Sequence, residues 1–231
     1  MALYRLACLA AFLLMVLSTA APAETRPAVV ELFTSQGCSS CPPADALLGE
    51  LAKRPDVVAL GFHIDYWDGL GWKDPFSTPQ STERQRAYAR RFGGQIYTPQ
   101  LVVDGTIEMV GSRREEVLAA LRETSPEAIA PMAFAADRHS VTIGRAATAG
   151  STGRVLLIRF AQQRTTRIGA GENARRTLED TNGVEALSTL GEWQGMEATF
   201  PVEPPAPGEG IAVLVQGADG HILGAAMLLG S

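Results

Sequence analysis

Cys38 and Cys41 are separated by two serines, and no cysteine follows them in the 231-residue chain. A thiol pair at this spacing supports reversible disulfide exchange or contributes to a soft-metal site. The thiolate is the reactive form, and it is favoured where a helix begins, because unpaired N–H groups and the macrodipole stabilise negative charge there. Such pairs titrate at about 3.5–7.5 rather than about 8.5. Cys38 is then the exposed nucleophile that forms a mixed disulfide, and Cys41, one turn into the helix, resolves it. A bridge across two residues restrains the unfolded chain little, so exchange explains it better than stapling. A zinc site needs further Cys or His ligands at recognisable spacing, and the sequence offers none. The metal alternative is copper held by Cys38, Cys41 and His63, since thiolate and imidazole suit Cu(I).

Other chemically able residues lie close by. Glu31 interrupts an apolar run seven residues before Cys38 and is a candidate proton relay for Cys41. The competing reading gives its carboxylate to solvent or to a basic partner. His63 and Asp65 share one face of a strand and Asp68 follows, a grouping open to acid–base work, metal binding or hydrogen-bonded structure. Tyr66, Trp67, Trp72 and Phe76 either pack over that end of the fold or form an apolar rim for a partner, and packing is the simpler reading. Gly169-x-Gly171-x-x-Ala174 lacks the βαβ context of a dinucleotide site, so no cofactor is expected beyond the Cys38–Cys41 disulfide itself.

These residues need elements to hold them. Ala28–Thr34 is an apolar, β-branched run that reads as a buried strand leading into the cysteine turn. Pro42-Pro43 suits a helix start, and Ala44–Arg54 carries apolar residues at helical spacing. A second strand over Val57–Ile64, a helix over Gln80–Phe92 opened by Ser77 or Thr78, and Gly93-Gly94 as its stop come next. Gln100–Val103 and Thr106–Val110 flank Asp104-Gly105, a strong hairpin signal, and Arg113–Thr124 reads as a last helix. The order is βαβαββα. Beyond it, short strands are expected at Val141–Ile143, Arg154–Phe160, Glu197–Val202, Gly210–Val215 and Ile222–Leu228 between turn-rich segments.

Composition sets limits on partners and compartment. The net charge of -5, without a basic stretch, excludes nucleic acid as an expected partner. Arg5, the short apolar run Leu6–Leu17 and Ala21-Pro22-Ala23 form a signal-peptide pattern over residues 1–23, and the run falls short of the roughly 20 residues that a membrane span needs. Cleavage there would remove Cys8 and any membrane anchor. It would leave one cysteine pair in a periplasmic or secreted protein, where disulfides persist.

Tyr97-Thr98-Pro99, taken with the cysteine pair, resembles the cis-proline loop of thioredoxin-like proteins. That resemblance assigns Thr98 to substrate contact and Pro99 to the cis position opposite the cysteines. More specifically, VELFTSQGCSSCPPAD, FHIDYWDGLGWKDPFS, YTPQLVVDG and GENARRTL resemble the signatures of a family of secreted bacterial proteins known as a domain of unknown function. The resemblance implies a thioredoxin-like fold and export, and it carries no assigned reaction. Arg175 departs from the family pattern, which has glycine there.

The expected architecture is α/β: a thioredoxin-like βαβαββα domain at 24–125, a linker at 126–131 and a small all-β sandwich-like domain at 132–231. The expected function is that of an exported thiol–disulfide oxidoreductase acting on protein thiols or disulfides, or on a redox partner protein. The alternatives are a periplasmic copper-handling protein and a non-catalytic binding module on the same scaffold.

Overall fold

The computed structural model describes residues 25–124 and 127–231. The expected signal segment lies outside them, as does the start of the expected linker. Among the described residues, no helix is long and apolar enough to cross a membrane.

The first half follows the expected order: β1 (Ala28–Thr34), α1 (Pro42–Leu51), β2 (Val57–His63), α2 (Pro79–Phe92), β3 (Gln100–Val103), β4 (Ile107–Val110) and α3 (Arg114–Glu123). β1 pairs in parallel with β2 and antiparallel with β3. The β3–β4 turn needs left-handed backbone at both central residues, and Asp104 (φ 47°) and Gly105 (φ 70°) supply it. Asp104 is also buried, where its carboxylate accepts from the Val29 N–H and pairs with Arg26 at 2.7 Å. Thr78 caps α2 by accepting from the Ser81 N–H, and left-handed Gly93 ends that helix.

The second half contains β5 (Met132–Phe134), β6 (Ser140–Ile143), β7 (Gly153–Arg167), β8 (Thr177–Trp193), β9 (Ala198–Pro201), β10 (Glu209–Gln216) and β11 (Ile222–Leu229). Three of these differ from the sequence expectation, the first being the short β5, where no strand was expected. β7 runs well past Phe160, and β8 is a 17-residue strand where none was expected. β8 carries Asn182-Gly183, a pair that reads as a turn, together with several acids. The strand accommodates it with Asn182 at φ 48° and bulged pairing to β7.

The described strands form one mixed sheet in the order β11-β10-β7-β8-β2-β1-β3-β4, and β5-β6-β9 form a small antiparallel sheet. The α/β class therefore holds. The two halves join where β8 lies parallel to β2 at Gly61 and Gly183, and the Asn182 side chain donates to the Ala59 carbonyl at 2.9 Å. The large sheet curls until β11 touches β1 and β2. Its inner face encloses Phe33, Leu60 and Phe62 from the first half with Ile158, Phe160 and Leu214 from the second. α1 and α3 cover the outer face of β1–β3 through Leu48, Leu51 and Val117. The small sheet packs on β7, β10 and β11 around Trp193 and Ile143 in a sandwich-like arrangement. Residues 127–131 run packed along this body, with Ala128 and Ala130 buried and the Ala130 N–H donating to Leu223.

Candidate functional site

Strand alternation decides which side chains reach the cysteine pair. On β1, Val30, Leu32 and Thr34 point toward α1, whereas Val29, Glu31 and Phe33 point to the inner face. Cys38 and Cys41 form a disulfide in the turn between β1 and α1, with Cα atoms 5.5 Å apart. Cys41 is the N-cap of α1 and its carbonyl accepts from the Ala44 and Asp45 N–H groups. Pro42 and Pro43 occupy the first turn, where their missing donors cost nothing. The Ser40 hydroxyl lies 3.3 Å from Cys38 Sγ.

Cys38 is 1% exposed and Cys41 0%, so neither sulfur meets solvent as the sequence reading expected of Cys38. The connection between β7 and β8, residues 168–176, which holds most of the GENARRTL segment, is bonded to the cysteine turn. Buried Asn173 donates through Nδ2 to the carbonyls of Gln36 and Cys38, each at 2.9 Å. Glu172 accepts from the Ser39 N–H at 3.0 Å, and that contact holds its carboxyl below the usual range. Arg176 donates to Asn173 Oδ1 and fixes the amide's orientation. Arg175, the departure from the family pattern, takes a left-handed conformation (φ 69°), the backbone for which glycine is the usual choice.

Beneath the turn lies a cluster of ionisable groups. His63 Nδ1 bonds Asp74 at 2.7 Å, and its Nε2 is 3.7 Å from Asp180 on β8. Gln36 links this cluster to the cysteine turn: its N–H donates to Asp74, its amide nitrogen donates to Asp180, and its amide oxygen accepts from Trp72. Burial opposes charge on His63, yet Asp74, Asp180 and Asp45 outweigh it and raise the imidazole to about 9. Asp74, despite burial, is held below the usual carboxylate range by His63. Asp180 is pushed up by burial. Asp45, in the first turn of α1, is lifted to about 7 by its withdrawal from water, against the hydrogen bond that it accepts from Thr34 at 2.7 Å.

The remaining candidates fall in different places. Glu31 does not lie beneath the cysteines. It sits on the inner face, where Arg84 at 2.6 Å and the Tyr88 hydroxyl hold it, so the basic-partner reading applies. Asp65 turns to α2, accepting from Thr82 at 2.6 Å, and Asp68 accepts from the Asp74 N–H and the Ser77 hydroxyl. Neither joins His63. A protonated imidazole spanned by two carboxylates is a poor soft-metal ligand, which needs the neutral ring. Among the described residues, no group of three His, Cys, Asp or Glu is arranged to hold a metal ion. Thr98–Pro99 is a cis bond, and Pro99 precedes Gln100, which pairs with Phe33 near the end of β1. Trp67 links the two loops: its Cβ approaches Gly37, and its indole N–H donates to Thr98 at 2.9 Å. Phe76 packs edge-on against His63, and Leu70 at the tip of that connection is 62% exposed.

The sequence reading missed Asp74, Asp180, Gln36 and Asn173 as parts of one site. Asp180 and Asn173 arrive from more than a hundred residues downstream, and only the GENARRTL signature marked their region.

The chain resembles the crystal structure of a protein from Agrobacterium tumefaciens, a structural-genomics target, at 31% identity and TM-score 0.74, covering 90% of this chain and 96% of that one. It shares the fold of HBP35 of Porphyromonas gingivalis at 13% identity and TM-score 0.55, covering 90% of this chain and 77% of that one. No curated protein matches it. A family model described as "Protein of unknown function (DUF1223)" matches residues 29–216, and the chain belongs to that family.

Proposed function

We propose that the protein is an exported thiol–disulfide oxidoreductase on a thioredoxin-like scaffold, acting through Cys38 and Cys41. One observation carries this reading: a disulfide-bridged pair between a strand end and a Pro-Pro helix start, with the Thr98–Pro99 loop tied to it through Trp67. The helix start favours thiolate, and thiolate is the species that attacks a disulfide. Cys38 exchanges with the substrate, Cys41 resolves the mixed disulfide, and Thr98 and Pro99 meet the substrate backbone. Protein thiols or disulfides are the substrate class. Export is supported by the signal pattern of residues 1–23 and by a cysteine pair that persists oxidised outside the cytosol.

The test is turnover of insulin disulfides by dithiothreitol with wild type and Cys38→Ser. Wild type is expected to accelerate the reaction at least about tenfold, and the variant to lose the acceleration entirely, because no mixed disulfide forms. Equal rates with and without wild type would overturn the reading.

A further inference from the structure

The β7–β8 tip is bonded to the cysteine turn itself. Asn173 donates to the Gln36 and Cys38 carbonyls, and Glu172 accepts from the Ser39 N–H. These are main-chain groups of the cysteine turn. Gly71 and Gly171 let the tip lie against the aromatic connection: a Cβ on Gly171 would come within 3.1 Å of Trp72 Cβ. The buried cysteine turn is therefore held to the tip by side chains whose bonds a competing polypeptide, with its own N–H and C=O groups, can replace.

We infer that Glu172 and Asn173 are specificity-determining residues of the redox site, forming a latch that bars Cys38 until the β7–β8 tip leaves. The inference deepens the proposed function and rests on the pair being exchangeable. In the latched state no thiolate has a line of approach to either sulfur. The substrate class is a flexible polypeptide able to bond with the Gln36 and Cys38 carbonyls and the Ser39 N–H. A small thiol offers no such replacement and reacts only with molecules whose tip has opened by itself.

Dithiothreitol probes this directly. Its thiolate attacks Cys38 Sγ, the Cys38–Cys41 bond breaks, and Cys41 leaves as a thiolate that takes a proton from water. The reagent's second thiolate attacks its own sulfur in the mixed disulfide, releasing Cys38, which is protonated in turn. The reagent ends as a cyclic disulfide and the protein as a dithiol. Reduction of the purified protein is followed by alkylation over a wide range of dithiothreitol concentrations, for wild type, Glu172→Ala and Asn173→Ala. The wild-type rate is expected to level off, because opening becomes limiting. Each variant is expected to reduce about tenfold faster, as lost hydrogen bonds of ordinary strength allow. Asn173 is buried, so urea midpoints accompany the rates, and exposed Glu172 gives the arm insensitive to misfolding. A wild-type rate that climbs linearly and equals that of both variants would sink the latch. If the latch behaves as stated while insulin turnover is absent in all three proteins, the latch stands and the oxidoreductase reading falls.

Discussion

Gln36 is the residue through which the cysteine turn and the buried charges are one structure, since its backbone and side chain together bond Asp74, Asp180, Trp72 and Asn173. The charges around it set a definite pH response. Asp45 rises from 3.8 to about 7, so the folded chain keeps a proton that the unfolded chain releases. Its contribution to stability therefore falls as pH climbs from about 4 through about 7. Asp45→Asn retains an acceptor for Thr34 and removes that cost. It is expected to gain about 1 kcal/mol at about pH 8 and nothing at about pH 3, read from urea unfolding at the two pH values. His63 works in the opposite sense to an ordinary acid: raised from 6.5 to about 9, it contributes fully below its unfolded value and loses that contribution as pH rises through 9.

At the scale of elements, the contact between β2 and β8 joins the two halves at one closely packed glycine. A Cβ on Gly61 would stand 3.3 Å from both Leu48 and the Thr181 carbonyl, so α1 and β8 close on that glycine from two sides. Gly61→Val is expected to cost about 2 kcal/mol by overpacking, measured as a lowered denaturant midpoint with unchanged slope. Elements with one clear signal were legible in the sequence: the apolar β1, the Thr78 cap and Gly93 stop of α2, and the Asp104-Gly105 hairpin all stand where residue types demanded them. β8 was not legible, because Asn182-Gly183 and the adjacent acids Glu179-Asp180 carry the local character of a turn. What makes them a strand is the partner on each side, β7 and β2, and a single sequence does not show partners.

For the whole molecule, the joined sheet and the shared core imply one folding unit over both halves. Phe33 and Phe62 pack in the same cluster as Ile158, Phe160 and Leu214, so neither half buries its apolar face alone. A single thermal transition is expected, with calorimetric and van't Hoff enthalpies equal; two resolved transitions would show separate units. The cysteine half of the candidate site was legible because its residues are neighbours in sequence, and the covering half was not. That asymmetry has a consequence in time. The cysteines lie three residues apart, while Asn173 follows Cys38 by 135. In a chain that emerges from its amino end, both thiols therefore precede by far the residues that bond to their turn. On the proposed oxidoreductase reading, an oxidant that meets the emerging chain reaches the pair before Glu172 and Asn173 bond to the cysteine turn.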